Sequence, residues 1–290
     1  MNEKFHGVFP ALLTPFFADG SVNYKALRQL VRFNLDKGVS GFYVCGSTSE
    51  AFLLTSDERR NILETVLEEN NGQAAVIAHV GQIGEAHAVE LAKHAKAAGA
   101  DAVSSVPPFY YGFSFNEIKN YYYDIADVGL PVFIYNFVAA GGAKLSTDNF
   151  KEFLADKRFI GVKHTSSDFY MLERLKAFRP EAVIFNGFDE MFLSGLVMGA
   201  DGGIGSTYNF MAEKFITIEK NFREGRIAEA QTEQKKANNI IEALIRVGVM
   251  PGEKALCRYL GIDLGVCRKP FAALTPEQEE VLIRVYEENK

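Results

Sequence analysis

The feature that most constrains the fold is a regular alternation of short apolar runs with longer amphipathic runs. Eight apolar runs, rich in β-branched and aromatic residues, occur before about residue 222 and predict β-strands. Most side chains on both faces of each run are apolar, which is typical of parallel strands covered by helices. The predicted strands are 7–15, 41–46, 75–81, 101–106, 131–136, 159–165, 182–187 and 202–208.

Polar residues that commonly begin helices stand between these runs. Ser56-Asp57-Glu58 predicts a helix over 58–69, Ser146-Thr147-Asp148 predicts one over 149–155, and Asp168 predicts one over 169–178. Eight strand–helix units spaced about 20 to 34 residues apart predict an α/β fold, a (β/α)8 TIM barrel. A doubly wound open sheet is the alternative, but such a sheet seldom has eight units of such regular length.

The alternation stops after residue 222. An apolar stripe at helical spacing over 226–247 and two shorter patterns near 252–260 and 275–289 predict helices alone. We therefore predict a catalytic barrel domain over 1–222 and a C-terminal helical extension over 223–290 that packs on it. A length of 290 residues allows a barrel with such an extension, because α/β barrels of roughly 250 residues fold as one unit.

Charge and cysteine content exclude several classes of protein. The chain has 31 Lys and Arg against 37 Asp and Glu, a net charge of −6, which argues against nucleic acid or an anionic membrane surface as the main partner. No apolar run approaches the length that crosses a bilayer, and the first residues do not resemble a signal peptide. Three cysteines form a sparse, odd set, which favours reduced thiols and a cytoplasmic location.

Lys163 is the strongest candidate for a reactive group. It lies in an otherwise apolar predicted strand, whereas most other lysines fall in helical or loop segments. Loss of hydration lowers the pKa of an ammonium group, and a neutral lysine amine forms Schiff bases with ketones. The alternative is a structural lysine at a strand end, paired with a carboxylate.

Polar residues at other strand ends are expected to face the same pocket, because barrel enzymes place their reactive groups at the carboxyl ends of strands. Tyr135 ends the neighbouring strand and is positioned to relay protons, although a hydrogen-bonded core tyrosine is the simpler interpretation. Ser47 and Thr48 follow a glycine at another strand end. Their hydroxyl and backbone N–H groups suit a carboxylate or phosphate, and plain turn chemistry is equally consistent with them.

The ends of the last two strands carry a different chemistry. The segment 201–209 contains no Lys or Arg, and the nearby carboxylates of Asp189 and Glu190 repel anions. These groups therefore suit a neutral polyhydroxylated ligand better than a phosphate. The alternative is that both acids cap the helix that begins there.

The sequence predicts neither a metal nor a cofactor. Its five histidines show no metal-ligand spacing, and neither a dinucleotide-binding fingerprint nor a P-loop occurs. His164 follows Lys163 directly and is expected to point to the opposite face of the strand.

Taken together, the motifs resemble the dihydrodipicolinate synthase/N-acetylneuraminate lyase superfamily, and specifically its N-acetylneuraminate lyase branch, over essentially the whole chain. The motifs that carry the resemblance are Gly46-Ser47-Thr48-Ser49-Glu50, Tyr135-Asn136, Gly161-Val162-Lys163-His164-Thr165-Ser166, Asn186-Gly187-Phe188-Asp189-Glu190, the segment 199–209, Pro108-Phe109-Tyr110-Tyr111 and Cys267-Arg268-Lys269-Pro270-Phe271.

The resemblance implies a class I aldolase that cleaves N-acetylneuraminate (sialic acid) into pyruvate and N-acetylmannosamine without a cofactor. Lys163 would form the imine with C2 of pyruvate, and Tyr135 would relay protons. The remaining implied substrate-binding residues are Ser47 and Thr48 for the pyruvate carboxylate, Thr165 beside the lysine, and Gly187, Asp189, Glu190 and Ser206 for the sugar. Tyr110 matches a tyrosine that reaches into a neighbouring subunit's site, and the family is usually a homotetramer.

Two departures from the family pattern bear on the site. Ser49 stands where the first motif usually has glycine, so a positive φ there would strain the backbone by about 1 kcal/mol. The loop 137–142 lacks both the usual proline and the arginine with which dihydrodipicolinate synthases grip a substrate carboxylate. This absence argues against aspartate semialdehyde as the acceptor.

Two other functions remain as alternatives. One is another lysine-dependent 2-oxo-acid aldolase, such as a dihydrodipicolinate synthase or a 2-keto-3-deoxy-sugar-acid aldolase. The other is a non-catalytic barrel that binds a sugar or oxo-acid, which would need neither Lys163 nor Tyr135.

Overall fold

The computed structural model describes residues 3–137 and 144–290. Within these residues, eight parallel strands form one sheet. The strands are β1 Gly7–Pro10, β2 Gly41–Val44, β3 Ala75–His79, β4 Ala102–Ser105, β5 Val132–Asn136, β6 Phe159–His164, β7 Val183–Asn186 and β8 Gly202–Gly205.

The sheet curls into a barrel in which sequential strands are neighbours. Its order is β1-β8-β7-β6-β5-β4-β3-β2. The two ends meet just beyond β1, where Ala11 and Tyr43 form a parallel bridge and the Leu12 N–H donates to the Tyr43 carbonyl at 3.0 Å. The predicted (β/α)8 barrel is therefore confirmed.

A helix follows each strand and covers the outside of the barrel. These helices are α1 Tyr24–Asp36, α2 Ser56–Asn70, α3 Glu85–Ala98, α4 Phe115–Ala126, α5 Thr147–Leu154, α6 Phe169–Phe178, α7 Phe192–Val197 and α8 Tyr208–Arg223. The predicted caps act nearly where expected: Ser146 caps α5 and Asp168 caps α6, whereas α2 is capped by Thr55, one residue before the predicted signal.

Every strand except β5 ends before the predicted residue. β1 ends at Pro10 rather than at residue 15, and β8 ends at Gly205 because Tyr208 already begins α8. Most of the following residues are still buried, among them Ala11, Leu12 and Leu13 after β1 and Thr207 and Tyr208 after β8. Burial alone therefore does not mark where the ladder of hydrogen bonds stops.

The barrel has an inner core separate from the layer between strands and helices. Phe9, Phe133, Phe185 and Ile204 fill the barrel interior, with edge-to-face packing of Phe9 on Phe185 at 4.9 Å between ring centroids. Alternate side chains of each strand point outward into a larger apolar layer under the helices. The filled interior leaves the mouth of the barrel as the place for a ligand.

Three further helices follow the barrel: α9 Ile227–Val247, α10 Val249–Tyr259 and α11 Pro276–Asn289. A buried ion pair joins this part to the barrel, with Lys254 Nζ 2.9 Å from Glu50 Oε1. The predicted helical extension is present, and its division from the barrel at residue 222 stays a prediction. In the described part of the chain, no helix combines the length and apolar character needed to span a bilayer.

Candidate active site

Lys163 projects into the barrel from β6. In register it lies between Tyr135 of β5 and Phe185 of β7, and only 4% of its surface is exposed. Its Nζ lies 4.3 Å from the ring centroids of both Tyr43 and Tyr135. The amine is therefore enclosed by aromatic rings at the carboxyl ends of the strands.

Lys163 differs from Lys254, another lysine that is almost fully buried. Lys254 is neutralised by Glu50, whereas Lys163 forms no ion pair within 4.0 Å among the described residues. Burial lowers the pKa of the Lys163 ammonium to about 7, although the charge of Asp189 opposes this shift. The structural alternative of a carboxylate-paired lysine is therefore wrong, and a large fraction of the amine is neutral near pH 7.

Tyr135 presents its hydroxyl group to the same enclosed space. Burial raises the pKa of this phenol to about 12, and the side chains of Ser47 and Thr165 act in the opposite direction. A phenol that stays protonated beside a neutral amine is suited to passing a proton between reacting groups.

Ser47 and Thr48 lie in a single 3-10 turn directly after β2, and both are partly exposed. The turn lies close to the barrel, and a Cβ at Gly46 would be only 2.6 Å from the Tyr43 ring. Ser47 also lines a cavity of about 370 Å³ together with Phe52, Phe109 and other apolar residues. The two hydroxyl groups are thus available to a small polar ligand.

The expected strain at Ser49 does not occur. Ser49 is not among the non-glycine residues with positive φ in this turn, which are Cys45 at 59° and Glu50 at 58°. Instead, the buried Ser49 hydroxyl donates to the Leu12 carbonyl at 2.5 Å. Serine at this position adds a hydrogen bond between the turn and the segment after β1.

Asp189 is buried at the end of β7 and faces the last strand. Its Oδ2 accepts hydrogen bonds from Thr207 N at 2.9 Å and from Thr207 Oγ1 at 2.7 Å, and a Cβ at Gly205 would lie 2.1 Å from Oδ1. Burial raises the pKa of this carboxyl to about 6 despite these hydrogen bonds. Neither Asp189 nor Glu190 caps a helix by its side chain, so the capping alternative is wrong.

Residues from α9 hold the Asp189–Met191 turn in place. Gln234 Nε2 donates to the Asp189 carbonyl at 3.1 Å, and its Oε1 accepts from Leu193 N at 2.9 Å. Asn238 Nδ2 donates to the Glu190 carbonyl at 3.1 Å. These two amides could not be predicted as part of the site, because in the sequence they are only polar positions on an amphipathic helix.

Most of the remaining predicted residues lie at the same end of the barrel. Gly187 packs so closely on Thr165 that a Cβ would lie 1.9 Å from Thr165 Oγ1, and Glu190 and Ser206 are partly exposed. Tyr110 does not join them. Its side chain is 81% exposed and packs edge-to-face on Tyr111 at 5.0 Å.

His164 and Tyr43 complete the surroundings of the lysine. His164 points away from the barrel interior, as predicted, and its Nε2 lies 3.0 Å from the Asp168 carbonyl. Tyr43 was not predicted as part of the site, although its ring contacts the lysine and its hydroxyl donates to Ser104 Oγ at 3.0 Å. The loop residues 138–142, on which the missing proline and arginine fall, lie outside the described residues.

The fold and the site define a (β/α)8 barrel protein with a desolvated lysine at the carboxyl ends of its strands. The dihydrodipicolinate synthetase family matches residues 4–288, and the chain belongs to that family. One curated relative is the N-acetylneuraminate lyase of Rhizobium meliloti, which is 44% identical over 92% of this chain and 90% of the relative. Another is N-acetylneuraminate lyase 2 of Escherichia coli, which is 42% identical over 99% of this chain and 95% of the relative.

Solved structures agree with this assignment. A Clostridium difficile protein, CdNal, in complex with mannosamine superposes with a TM-score of 0.96 at 38% identity, over 98% of this chain and 99% of that one. The Fusobacterium nucleatum N-acetylneuraminate lyase complexed with pyruvate has a TM-score of 0.94 at 37% identity, over 99% of this chain and 97% of that one. A catalytic lysine mutant of the Ruminococcus gnavus sialic acid aldolase has a TM-score of 0.95 at 32% identity, over 98% of this chain and 95% of that one.

Proposed function

We propose that this chain is a class I aldolase that reversibly cleaves N-acetylneuraminate into pyruvate and N-acetylmannosamine. The observation that carries the proposal is Lys163, an almost fully buried amine that has no counter-ion in the described part of the chain and is enclosed by Tyr43 and Tyr135. The names of the relatives and of the solved structures support the choice of substrate.

The reaction follows from the chemistry of the amine. Neutral Lys163 Nζ adds to the C2 carbonyl of the open-chain sugar acid, and loss of water from the carbinolamine forms the protonated imine. The C3–C4 bond then breaks as its electron pair moves toward the imine nitrogen, while the C4 hydroxyl loses its proton. Release of N-acetylmannosamine leaves an enamine, whose protonation at C3 and hydrolysis yield pyruvate and free lysine.

Tyr135 is proposed as the group that moves protons during these steps. Its hydroxyl stays protonated at neutral pH because burial raises its pKa. It is positioned to protonate the leaving hydroxyl of the carbinolamine and to accept the proton of the C4 hydroxyl. Ser47 and Thr48 would hold the carboxylate of the oxo-acid, and Thr165 would lie beside the imine.

The sugar portion is proposed to bind toward the ends of β7 and β8. Gly187, Asp189, Glu190 and Ser206 lie there, and carboxylates and hydroxyl groups share hydrogen bonds with sugar hydroxyls. One oxygen of Asp189 is already occupied by Thr207. Its other oxygen and the partly exposed Glu190 are the acceptors left for the ligand.

The decisive assay is pyruvate release from N-acetylneuraminate in the presence of EDTA and without an added cofactor. The same preparation is tested for condensation of pyruvate with aspartate semialdehyde and for cleavage of 2-keto-3-deoxy-sugar acids. We expect kcat/KM to be highest for N-acetylneuraminate. A higher value for one of the other substrates would replace this proposal with that activity, and the absence of all three would favour a binding protein.

The pH dependence of cleavage tests the state of Lys163. We expect kcat/KM to rise about tenfold from pH 6 to pH 8, because the neutral, attacking amine becomes the main form as the pH passes its pKa of about 7. In Asp189→Asn the midpoint should move to lower pH, since the charge that stabilises the ammonium is gone. A rate that continues to rise toward pH 10 would contradict a desolvated lysine.

Glu190→Ala tests the acceptor end. We expect kcat/KM for N-acetylneuraminate to fall about 5- to 150-fold, because a lost hydrogen-bonding group in a specific site costs about 1–3 kcal/mol. Borohydride trapping of pyruvate should be unchanged. Glu288→Ala, at an exposed glutamate of α11, is the matched control and should leave both measurements unchanged. If Glu190→Ala lowered cleavage and pyruvate trapping equally, Glu190 would not act on the sugar end alone.

We further propose a cytoplasmic homotetramer whose only ligands are small molecules. The two exposed aromatic rings of Tyr110 and Tyr111 support an interface between copies of the chain, with Tyr110 directed into a neighbouring site. The three cysteines are free thiols, which fits a reducing compartment. Sedimentation velocity measures the mass of the assembly and would contradict the proposal if it gave a monomer.

A further inference from the structure

Glu50 closes the turn that carries Ser47 and Thr48, and its backbone is strained. Its φ of 58° and ψ of 36° lie in the left-handed region, which is costly for a residue with a Cβ. Its backbone N–H donates to the Ser47 carbonyl at 3.0 Å, so any shift of Glu50 also shifts the turn. Glycine would adopt this conformation without strain. The side chain of Glu50, rather than its backbone, therefore explains a glutamate at this position.

Both oxygens of the Glu50 carboxylate are held by the C-terminal extension. Oε1 lies 2.9 Å from Lys254 Nζ on α10, and Oε2 accepts a hydrogen bond from Arg268 N at 2.7 Å. Lys254 Nζ also donates to the Val266 carbonyl at 2.7 Å, and only 2% of the lysine side chain and 0% of the glutamate side chain are exposed. The turn after β2 is thus fixed by groups that lie 204 and 218 residues further along the chain.

Stability alone is a weak explanation for this buried ion pair. Taking two charges out of water is costly, and neutral groups of similar volume often stabilise a fold equally well. The attraction between the charges offsets that cost only in a close, well-aligned geometry, so the pair imposes one arrangement on the two elements. Because Glu50 lies only two residues after Thr48, that arrangement also fixes the two hydroxyl groups of the turn.

Other parts of the extension face the same end of the barrel. Met250, Pro270 and Phe271 line the cavity of about 370 Å³ that Ser47 also lines. Arg268 Nη1 donates to the carbonyl of Leu53 at 2.6 Å, at the end of the 3-10 turn that follows Glu50. The extension therefore forms one wall of the space beside Ser47 and does not only cover the outside of the barrel.

We propose that the buried Glu50–Lys254 pair positions Ser47 and Thr48 for the carboxylate of the oxo-acid, which makes the C-terminal extension part of the pyruvate end of the site. The inference rests on the proposed function, because that function assigns the carboxylate to this turn. Without the pair, the turn keeps its hydroxyl groups but no longer holds them in one place. Binding of the carboxylate then weakens, while Lys163 keeps its aromatic enclosure and its reactivity.

The test compares two ketones that form the same imine, pyruvate and methyl pyruvate, in which an uncharged ester replaces the carboxylate. Cyanoborohydride traps each ketone on Lys163, and mass spectrometry of the intact chain gives the rate constant of each trapping reaction. The ratio of the two rate constants, pyruvate over methyl pyruvate, cancels the reactivity of the lysine. A change of this ratio between wild type and variant therefore reports recognition of the carboxylate.

The decisive variant is Glu50→Gln/Lys254→Met, which removes both charges, keeps similar volumes and leaves the net charge unchanged. We expect a melting temperature close to that of the wild type, because a neutral pair replaces a buried ion pair. The ratio should fall about 10- to 100-fold, the effect of losing one well-placed hydrogen bond to a charged group. In cleavage, KM for N-acetylneuraminate should rise while kcat changes less than about threefold, since the carboxylate is bound equally in the ground and transition states.

Glu242→Gln/Arg246→Met makes the same two changes in an exposed ion pair of α9 and is the matched control. Its ratio and its KM should equal those of the wild type. If the Glu50→Gln/Lys254→Met variant does not fold, Glu50→Gln alone decides the matter, and its ratio should fall at least about threefold.

The outcomes separate this inference from the proposed function. A wild type that traps pyruvate but releases none from N-acetylneuraminate would overturn the proposed function alone. A folded Glu50→Gln/Lys254→Met variant with the ratio of the wild type would overturn the role of the pair. Equal losses with both ketones would also overturn it, because they would show that the pair supports the lysine or the fold rather than the carboxylate site.

Discussion

Lys163→Met is expected to abolish both cleavage of N-acetylneuraminate and the reduced adduct that forms with pyruvate and borohydride. Methionine is similar in length but has no amine, so neither the carbinolamine nor the imine can form. We expect turnover to fall to the background of the assay. Mass spectrometry of the intact chain measures the adduct, and pyruvate release measures turnover.

The stability of this variant should not fall. Lys163 has no ion pair in the described residues and is almost fully buried, so an apolar side chain of similar size removes a desolvated polar group without leaving a partner behind. A melting temperature equal to or above that of the wild type is expected. Lys25→Met, at an exposed lysine of α1, is the control and should retain the adduct. An adduct in Lys163→Met would place the imine on another lysine.

Tyr135→Phe is expected to lower kcat about 10²- to 10⁴-fold, the range for one positioned proton-transfer group. The substitution removes only the hydroxyl, and the ring keeps its contacts with the lysine and with Tyr43 at 6.0 Å between centroids. Binding of pyruvate should therefore be reduced much less than turnover. Steady-state cleavage kinetics, with pyruvate as a competitive inhibitor, separate the two effects.

Tyr43→Phe is the matched control for this prediction. Tyr43 is equally close to the lysine, with its ring centroid 4.3 Å from Nζ, but its hydroxyl is committed to Ser104. Loss of that hydrogen bond should cost about 1 kcal/mol of stability and change kcat only slightly. Comparable losses of kcat in both variants would show that the two phenols act through packing rather than through proton transfer.

The order and type of the elements could be predicted because each strand and helix carries its own periodicity. All eight strands and the flanking helices 58–69 and 169–178 were predicted within about two residues of their starting positions. The ends of β1 and β8 were wrong. Most residues after Pro10 and Gly205 remain buried, and a buried segment outside the ladder can be as apolar as one inside it.

Within the site, the sequence by itself determined the residues at the carboxyl ends of the strands, including Lys163, Tyr135 and the Ser47-Thr48 pair. A lysine inside an apolar strand is conspicuous in any sequence, and the barrel topology brings strand ends together whatever loops follow. The roles of these residues in substrate binding and catalysis stay predictions that the experiments above address.

The neighbours that act on those residues could be seen only once the chain was folded. Gln234 and Asn238 support the Asp189–Met191 turn from a helix about 45 residues away in the chain. Whether Lys163 has a counter-ion was likewise open until the packing was known. Periodicity reports which face of an element is buried, whereas pKa values and hydrogen bonds depend on distances between side chains that are remote in sequence.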